Sequence, residues 1–186
     1  NTMGFIRKVE SLMKKFPDLT KFSHLFATFF GIGLLPLAPG TWGSLAALLL
    51  FFFLIYFQLN FFLFLLLFLC FSIFSIIVCE IASKDLLEKD HKAIVIDEVA
   101  GAWLSLLFIP FLGIYNFSTS EWQNESYLAA FILIIIFRFF DILKPHPISF
   151  IDKKFKSGFG IVLDDLAAGL FSGLTLLGGN FFVQIF

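Results

Sequence analysis

An all-α, polytopic membrane bundle of about five crossings is the fold this sequence predicts, and three observations predict it. Of 186 residues, 59% are apolar, 30 are Phe, and only 15% are charged, against roughly 25% in an ordinary soluble domain. A mean hydropathy of +0.95 is more than a soluble core of this length can hide. The apolar residues fall in runs near the length of a membrane crossing, and all 13 Lys and Arg fall in segments assigned to one side of those runs. A net charge of -1 says nothing of partners, and no feature of the chain implies a nucleic acid or a protein partner.

Asn1-Thr2 before Met3 reads as a tag remnant, and no apolar stretch of signal-peptide type follows. Residues 3–22 carry Arg7, Lys8, Lys14, Lys15 and Lys21 against Phe5, Ile6, Val9, Leu12, Met13 and Phe16. This near-helical spacing predicts an amphipathic helix on the membrane surface, stopped near Pro17. A single membrane-embedded domain, 23–186, follows. Its segment 25–38 is apolar but interrupted by Gly31, Gly33 and Pro36, which predicts a re-entrant or half-buried piece. Ala38-Pro39-Gly40-Thr41-Trp42-Gly43-Ser44 reads as a polar turn leading into a first crossing, Ser44 to Phe57.

After Gln58-Leu59-Asn60, Phe61 to Cys79 is the cleanest crossing. Cys70 and Cys79 inside it have no metal or redox spacing and read as small buried apolar residues. Val99 to Tyr115 is the third crossing, kinked near Pro110. Tyr127 to Phe140 is the fourth, and Ile161 to Phe182 the last. With the N-terminus inside, the basic segments 1–22, 80–98 and 138–157 are cytoplasmic, and 58–60, 116–126 and the C-terminus carry no Lys or Arg. The polar chemistry is therefore expected on the cytoplasmic face. Of 14 acids, only Glu121 and Glu125 lie outside.

Four constellations carry the chemistry. The Ala38–Ser44 stretch offers glycines for close backbone approach, the hydroxyls of Thr41 and Ser44, and a helix start that suits an oxyanion. A plain N-cap with Trp42 as an interfacial anchor accounts for the same residues. Asp97-Glu98 opens an apolar helix, where capping explains one acid better than two. Asp164-Asp165 repeats the pattern, since Asp97 to Gly101 and Asp165 to Gly169 span the same four residues. If the two helices meet, four carboxylates gather. They then require a cation, and hard oxygen donors favour Mg2+. Arg138, Asp141 and Lys144 share one helix side, as a phosphate-binding set or as an intrahelical salt bridge. His146 stands between two prolines, and Asp90-His91 reads as a solvated loop. No cysteinyl-phosphate, aspartyl-phosphate or zincin motif is present, which leaves metal-assisted attack by water.

Together and in this order, the stretches "LAPGTWGSLAAL", "DHKAIVIDEVAG", "FRFFDILKPHPI" and "SGFGIVLDDLAAG" resemble phosphatidylglycerophosphatase A, a family of bacterial inner-membrane lipid phosphatases. They cover about a third of the chain; His146 departs from the Trp common in the family between the two prolines. The resemblance implies an all-helical fold and Mg2+-dependent hydrolysis of phosphatidylglycerol phosphate to phosphatidylglycerol and phosphate, with membrane lipids as surroundings. Carried onto this chain, it implies Mg2+ held by Asp97, Glu98, Asp164 and Asp165, with Asp141 joining directly or through water. It further implies a carboxylate such as Glu98 as base, phosphate bound by Thr41, Ser44, Arg138 and Lys144, and His24 or His91 as proton donor to the leaving group. Two alternatives stand beside it. A CDP-alcohol phosphotransferase lacks its signature here, and a cation transporter would place carboxylates near the bilayer midplane.

Overall fold

The computed structural model describes Gly4 and residues 17–85, 91–116, 121–155 and 157–185. Most of the expected N-terminal amphipathic helix, together with Lys89, Asp90 and Lys156, lies outside the described residues. The helices are α1 (Phe22–Ala27), α2 (Pro39–Tyr56), α3 (Phe61–Ala82), α4 (Ile96–Leu106), α5 (Glu125–Leu143), α6 (Ile148–Lys154) and α7 (Gly158–Ile185). Short 3-10 turns occupy Ile32–Leu34, Ser83–Asp85 and Ile109–Leu112. A two-residue hairpin pairs β1 (Tyr115–Asn116) with β2 (Glu121–Trp122), Tyr115 opposite Trp122.

Four helices are long and apolar enough to cross a membrane: those over Pro39–Tyr56, Phe61–Asp85, Glu125–Leu143 and Gly158–Phe181. The third expected crossing takes a different form. It is α4, 11 residues long, or about 16 Å at 1.5 Å per residue, continued by the 3-10 turn with Pro110 near its start. Nine residues of α4 are buried, because α2, α3, α5 and α7 surround it, with α7 packed most extensively. A helix walled by protein need not match the bilayer in length or apolarity.

The surrounding helices show the opposite pattern. On α3, Phe64, Phe68, Ser72, Ser75 and Val78 face inward, while Phe62, Leu66, Leu69, Ile73 and Ile77 point out. Cys79 is buried as expected, but Cys70 is exposed, because it falls on this outward face. Trp103 of α4 packs its ring against Phe64, Phe68 and Phe71.

Two boundary differences matter for the site. The Pro39–Ser44 stretch does not precede the first crossing; it forms the opening turns of α2, since Pro39 sits in the first helical turn, directly after the N-cap Ala38. Segment 28–38 is irregular on either side of the Ile32–Leu34 turn, with Phe29, Phe30 and Leu37 at positive φ, and it leads into the start of α2.

The far end of the bundle is fastened by local bonds. Asn60 caps α3 through Leu63 N–H at 2.9 Å, Phe61 N–H donates to Tyr115 Oη at 3.1 Å, and Ser126 Oγ donates to Ile114 O at 3.1 Å. Lys21, Lys84, Lys92, Arg138, Lys144, Lys153 and Lys154 belong to the opposite end, as do the starts of α2, α4 and α7.

Candidate active site

The site lies where three helix starts and one helix end meet. Asp97 and Glu98 occupy the first turn of α4. One turn further on, Gly101 removes the side chain that would keep α7 away. A Cβ there would stand 2.5 Å from the Asp165 carbonyl oxygen, and one at Gly169 would run into the Gly101 carbonyl. The equal acid-to-glycine spacing seen in the sequence is thus a reciprocal helix crossing. It delivers Asp165 to the α4 acids: one carboxylate oxygen each from Asp97, Glu98 and Asp165 lies within 4.8 Å of the others.

These groups are withdrawn from water. Asp97 is 5% exposed, and Asp164 and Asp165 are 4% each. Among the described residues, Glu98 Oε2 and Arg138 Nε are buried without a hydrogen-bond partner. Asp141, near the end of α5, acts electrostatically on both Glu98 and Asp165. It is ion-paired with Arg138 Nη1.

Lys144 caps α5 in a left-handed conformation at φ 41. It pairs with Asp164 and, at 3.1 Å, with Asp152 of α6. Burial works to lower its pKa, but the bonds and charges of Asp164, Asp152 and Asp165 more than offset this and hold the ammonium above the usual lysine range.

α2 closes the site. A Cβ on Gly40 would collide with Glu98 Oε1 and stand 2.8 Å from Arg138 Nη1. One on Gly43 would lie 3.1 Å from Val95 Cβ and 3.4 Å from Glu98 Cβ. The two glycines therefore let the start of α2 lie directly on the α4 acids and Arg138. Thr41 is exposed in this turn. Ser44 is buried, and its hydroxyl donates to the Gly40 carbonyl at 2.9 Å.

Of the residues singled out from the sequence, the structure brings together Asp97, Glu98, Asp141, Asp164, Asp165, Arg138 and Lys144, with Thr41 and Ser44 on the helix that covers them. His24 is placed in a different cluster. Its Nδ1 accepts from Asp18 N–H at 3.1 Å, and its Nε2 lies 3.0 Å from Asp85 Oδ2. His91 Nδ1 accepts from Ala93 N–H at 3.1 Å. His146 is exposed, its ring 6.4 Å from that of Phe150.

Sequence reasoning missed Asp152, which shares Lys144 with Asp164. It also missed Glu80, whose Oε2 accepts from Gly158 N–H at 2.7 Å at the start of α7. That pair is 78 residues apart, so no local pattern marks it. Gly40 was legible only as a glycine near a helix start.

Six carboxylates (Asp97, Glu98, Asp141, Asp152, Asp164 and Asp165) thus share this region with two cations, Arg138 and Lys144. Closely set oxygen donors with an unmatched buried carboxylate oxygen fit a hard divalent ion such as Mg2+. Arg138 beside them fits a phosphate.

Residues 25–180 match the family profile described as Phosphatidylglycerophosphatase A. The chain is similar to the Phosphatidylglycerophosphatase A of Haemophilus influenzae, at 42% identity over 82% of this chain and 85% of the relative. It is 36% identical to that of Escherichia coli, over 80% and 78% of the two chains. It is also 33% identical to a Bacteroides thetaiotaomicron protein named as a candidate phosphatidylinositol-3-phosphatase, over 82% and 89%. No solved structure matches it.

Proposed function

The chain belongs to the phosphatidylglycerophosphatase A family and is a lipid phosphatase acting on a phosphomonoester; from that premise we propose that it hydrolyses phosphatidylglycerol phosphate with Mg2+ at the cytoplasmic face of a bacterial inner membrane. The observation that carries the metal dependence is the meeting of Asp97, Glu98 and Asp165 oxygens within 4.8 Å, beside Arg138 and beneath Gly40. Neither alternative weighed from the sequence, phosphotransferase or transporter, shares this family.

In this reading Asp97, Glu98 and Asp165 hold the ion. When bound, Mg2+ supplies neutralising charge to the phosphoryl oxygens. Asp141 and Asp164, expected as ligands, act through the cations they hold: Asp141 orients Arg138 and Asp164 orients Lys144. Those two cations bind the phosphate monoester with the first turn of α2, where Thr41 presents its hydroxyl. Ser44 supports that turn through Gly40 rather than meeting the phosphate.

Water attacks phosphorus, the phosphorus–oxygen ester bond breaks, and the departing glycerol oxygen takes a proton from solvent, to which Glu98 later returns the one it accepts. Glu98 takes the proton of the attacking water. The placement suits the substrate. Its phosphate reaches a site at the mouth of the bundle, and its acyl chains stay among the exposed Phe139, Ile142 and Leu143 of α5. The excess of Lys and Arg at this end supports its cytoplasmic assignment.

Phosphate release from phosphatidylglycerol phosphate by the purified chain, with and without EDTA, tests the reading. We expect release in Mg2+ and none in EDTA. Release undiminished by EDTA overturns the metal dependence. Hydrolysis of another lipid phosphomonoester in preference to this one overturns the substrate.

A further inference from the structure

A second polar cluster lies on the strap that precedes α2. His24 of α1 is 2% exposed. Because its Nδ1 accepts from the Asp18 backbone N–H, that nitrogen carries no proton, and the ring's proton is on Nε2, which donates to Asp85 at 3.0 Å. Lys21 pairs with the same carboxylate. Asp85 ends the 3-10 turn after α3, so the cluster ties α1 to α3.

From α1 the connection reaches the acids. The Ala27 carbonyl accepts from Val95 N–H at 2.9 Å, and Val95 is the N-cap of α4, two residues before Asp97. Gly33 backs the same segment, since a Cβ there would strike the Ala93 carbonyl. Val95 has no side-chain cap, so the strap's backbone bond holds the segment leading into α4.

We infer that His24 and Asp85 are positioning residues, which set the depth of Asp97 and Glu98 through α1 and its bond to Val95. His24 therefore acts without exchanging a proton with the leaving group. The inference rests on the reading that Asp97 and Glu98 belong to the catalytic machinery.

The test compares two substrates: phosphatidylglycerol phosphate, and an acyl-chain lipid phosphomonoester whose leaving group is an acidic aryl oxide. A general acid is needed by the first and dispensable for the second, whereas misplaced carboxylates slow both. We expect His24→Ala and Asp85→Ala to lower kcat/KM on both substrates by the same factor, about tenfold or more. His24→Gln, whose amide can still donate to Asp85, should recover most of the loss. A His24→Ala defect that disappears on the aryl ester, with Gln no better than Ala on the glycerol ester, overturns the inference. Wild-type rates in both alanine variants also overturn it. Should the alanine variants fail to fold, His24→Gln decides alone: a near wild-type rate supports positioning, and a loss confined to the glycerol ester overturns it. Asp97→Asn, assayed alongside, separates the two readings, because full activity there removes the carboxylate site whatever the His24 variants do.

Discussion

Gly40 and Glu98 meet across the start of α2 and the first turn of α4 so closely that no β-carbon fits between them. Arg138 Nη1 shares the contact, 2.8 Å from where that carbon would stand. Gly40→Ala must therefore displace a carboxylate, a guanidinium or the helix itself. The expected outcome is intact helix content by circular dichroism with turnover reduced about a hundredfold, the order of loss for a small misplacement of reacting groups.

Asp97→Asn and Asp165→Asn should each abolish phosphate release. They should also leave the protein as stable as the wild type in EDTA, or more so, because each removes one charge from a cluster of like charges. Melting temperatures measured in EDTA check this. A lower melting temperature in either variant would show that the carboxylate supports the fold itself.

Lys144→Met strips a buried Asp164 of its ion-pair partner, which is destabilising. Adding Asp164→Asn should restore much of the lost melting temperature without restoring activity. The pH dependence follows from the raised pKa of Lys144. A group whose folded pKa lies above its unfolded one contributes fully below the unfolded value and loses that contribution as pH rises through the folded one. The gap between wild type and Lys144→Met should thus hold constant from neutral to mildly alkaline pH and narrow only above the ordinary lysine range.

Gly169 and Gly178 both lie in α7, yet only the first has a backbone pressed against it. Gly169→Ala should destabilise by about 1–3 kcal/mol, as overpacking does, and should impair turnover by prising Asp165 from the α4 acids. Gly178→Ala meets nothing within 4 Å, and should be neutral or stabilising by up to about 1 kcal/mol, the helix propensity difference. Thermal unfolding of both variants provides the comparison.

The acid pairs were legible because a charged doublet at the start of an apolar run stands out against its surroundings. The four long spans were legible for the same reason. The interior position of α4 was not, since Val99 to Tyr115 is apolar enough to resemble a lipid-facing crossing. Only packing shows that it ends at Leu106 and is enclosed. The direction of the Ser44 hydroxyl was hidden too, because a serine one turn into a helix has both solvent and its own backbone as partners. His24 and Asp85 find each other across 61 residues, a distance over which neither periodicity nor spacing carries information.

The brevity of α4 has a mechanical consequence. Bilayers differ in thickness with acyl composition, and a spanning helix answers by tilting. The four long helices must bear that adjustment, while the short one inside them is walled by protein along most of its length. Asp97 and Glu98 are therefore insulated from the membrane's changing thickness. Their depth is referenced to the neighbouring helices, as a bearing is referenced to its housing, so that their spacing stays the same as the surrounding lipid varies.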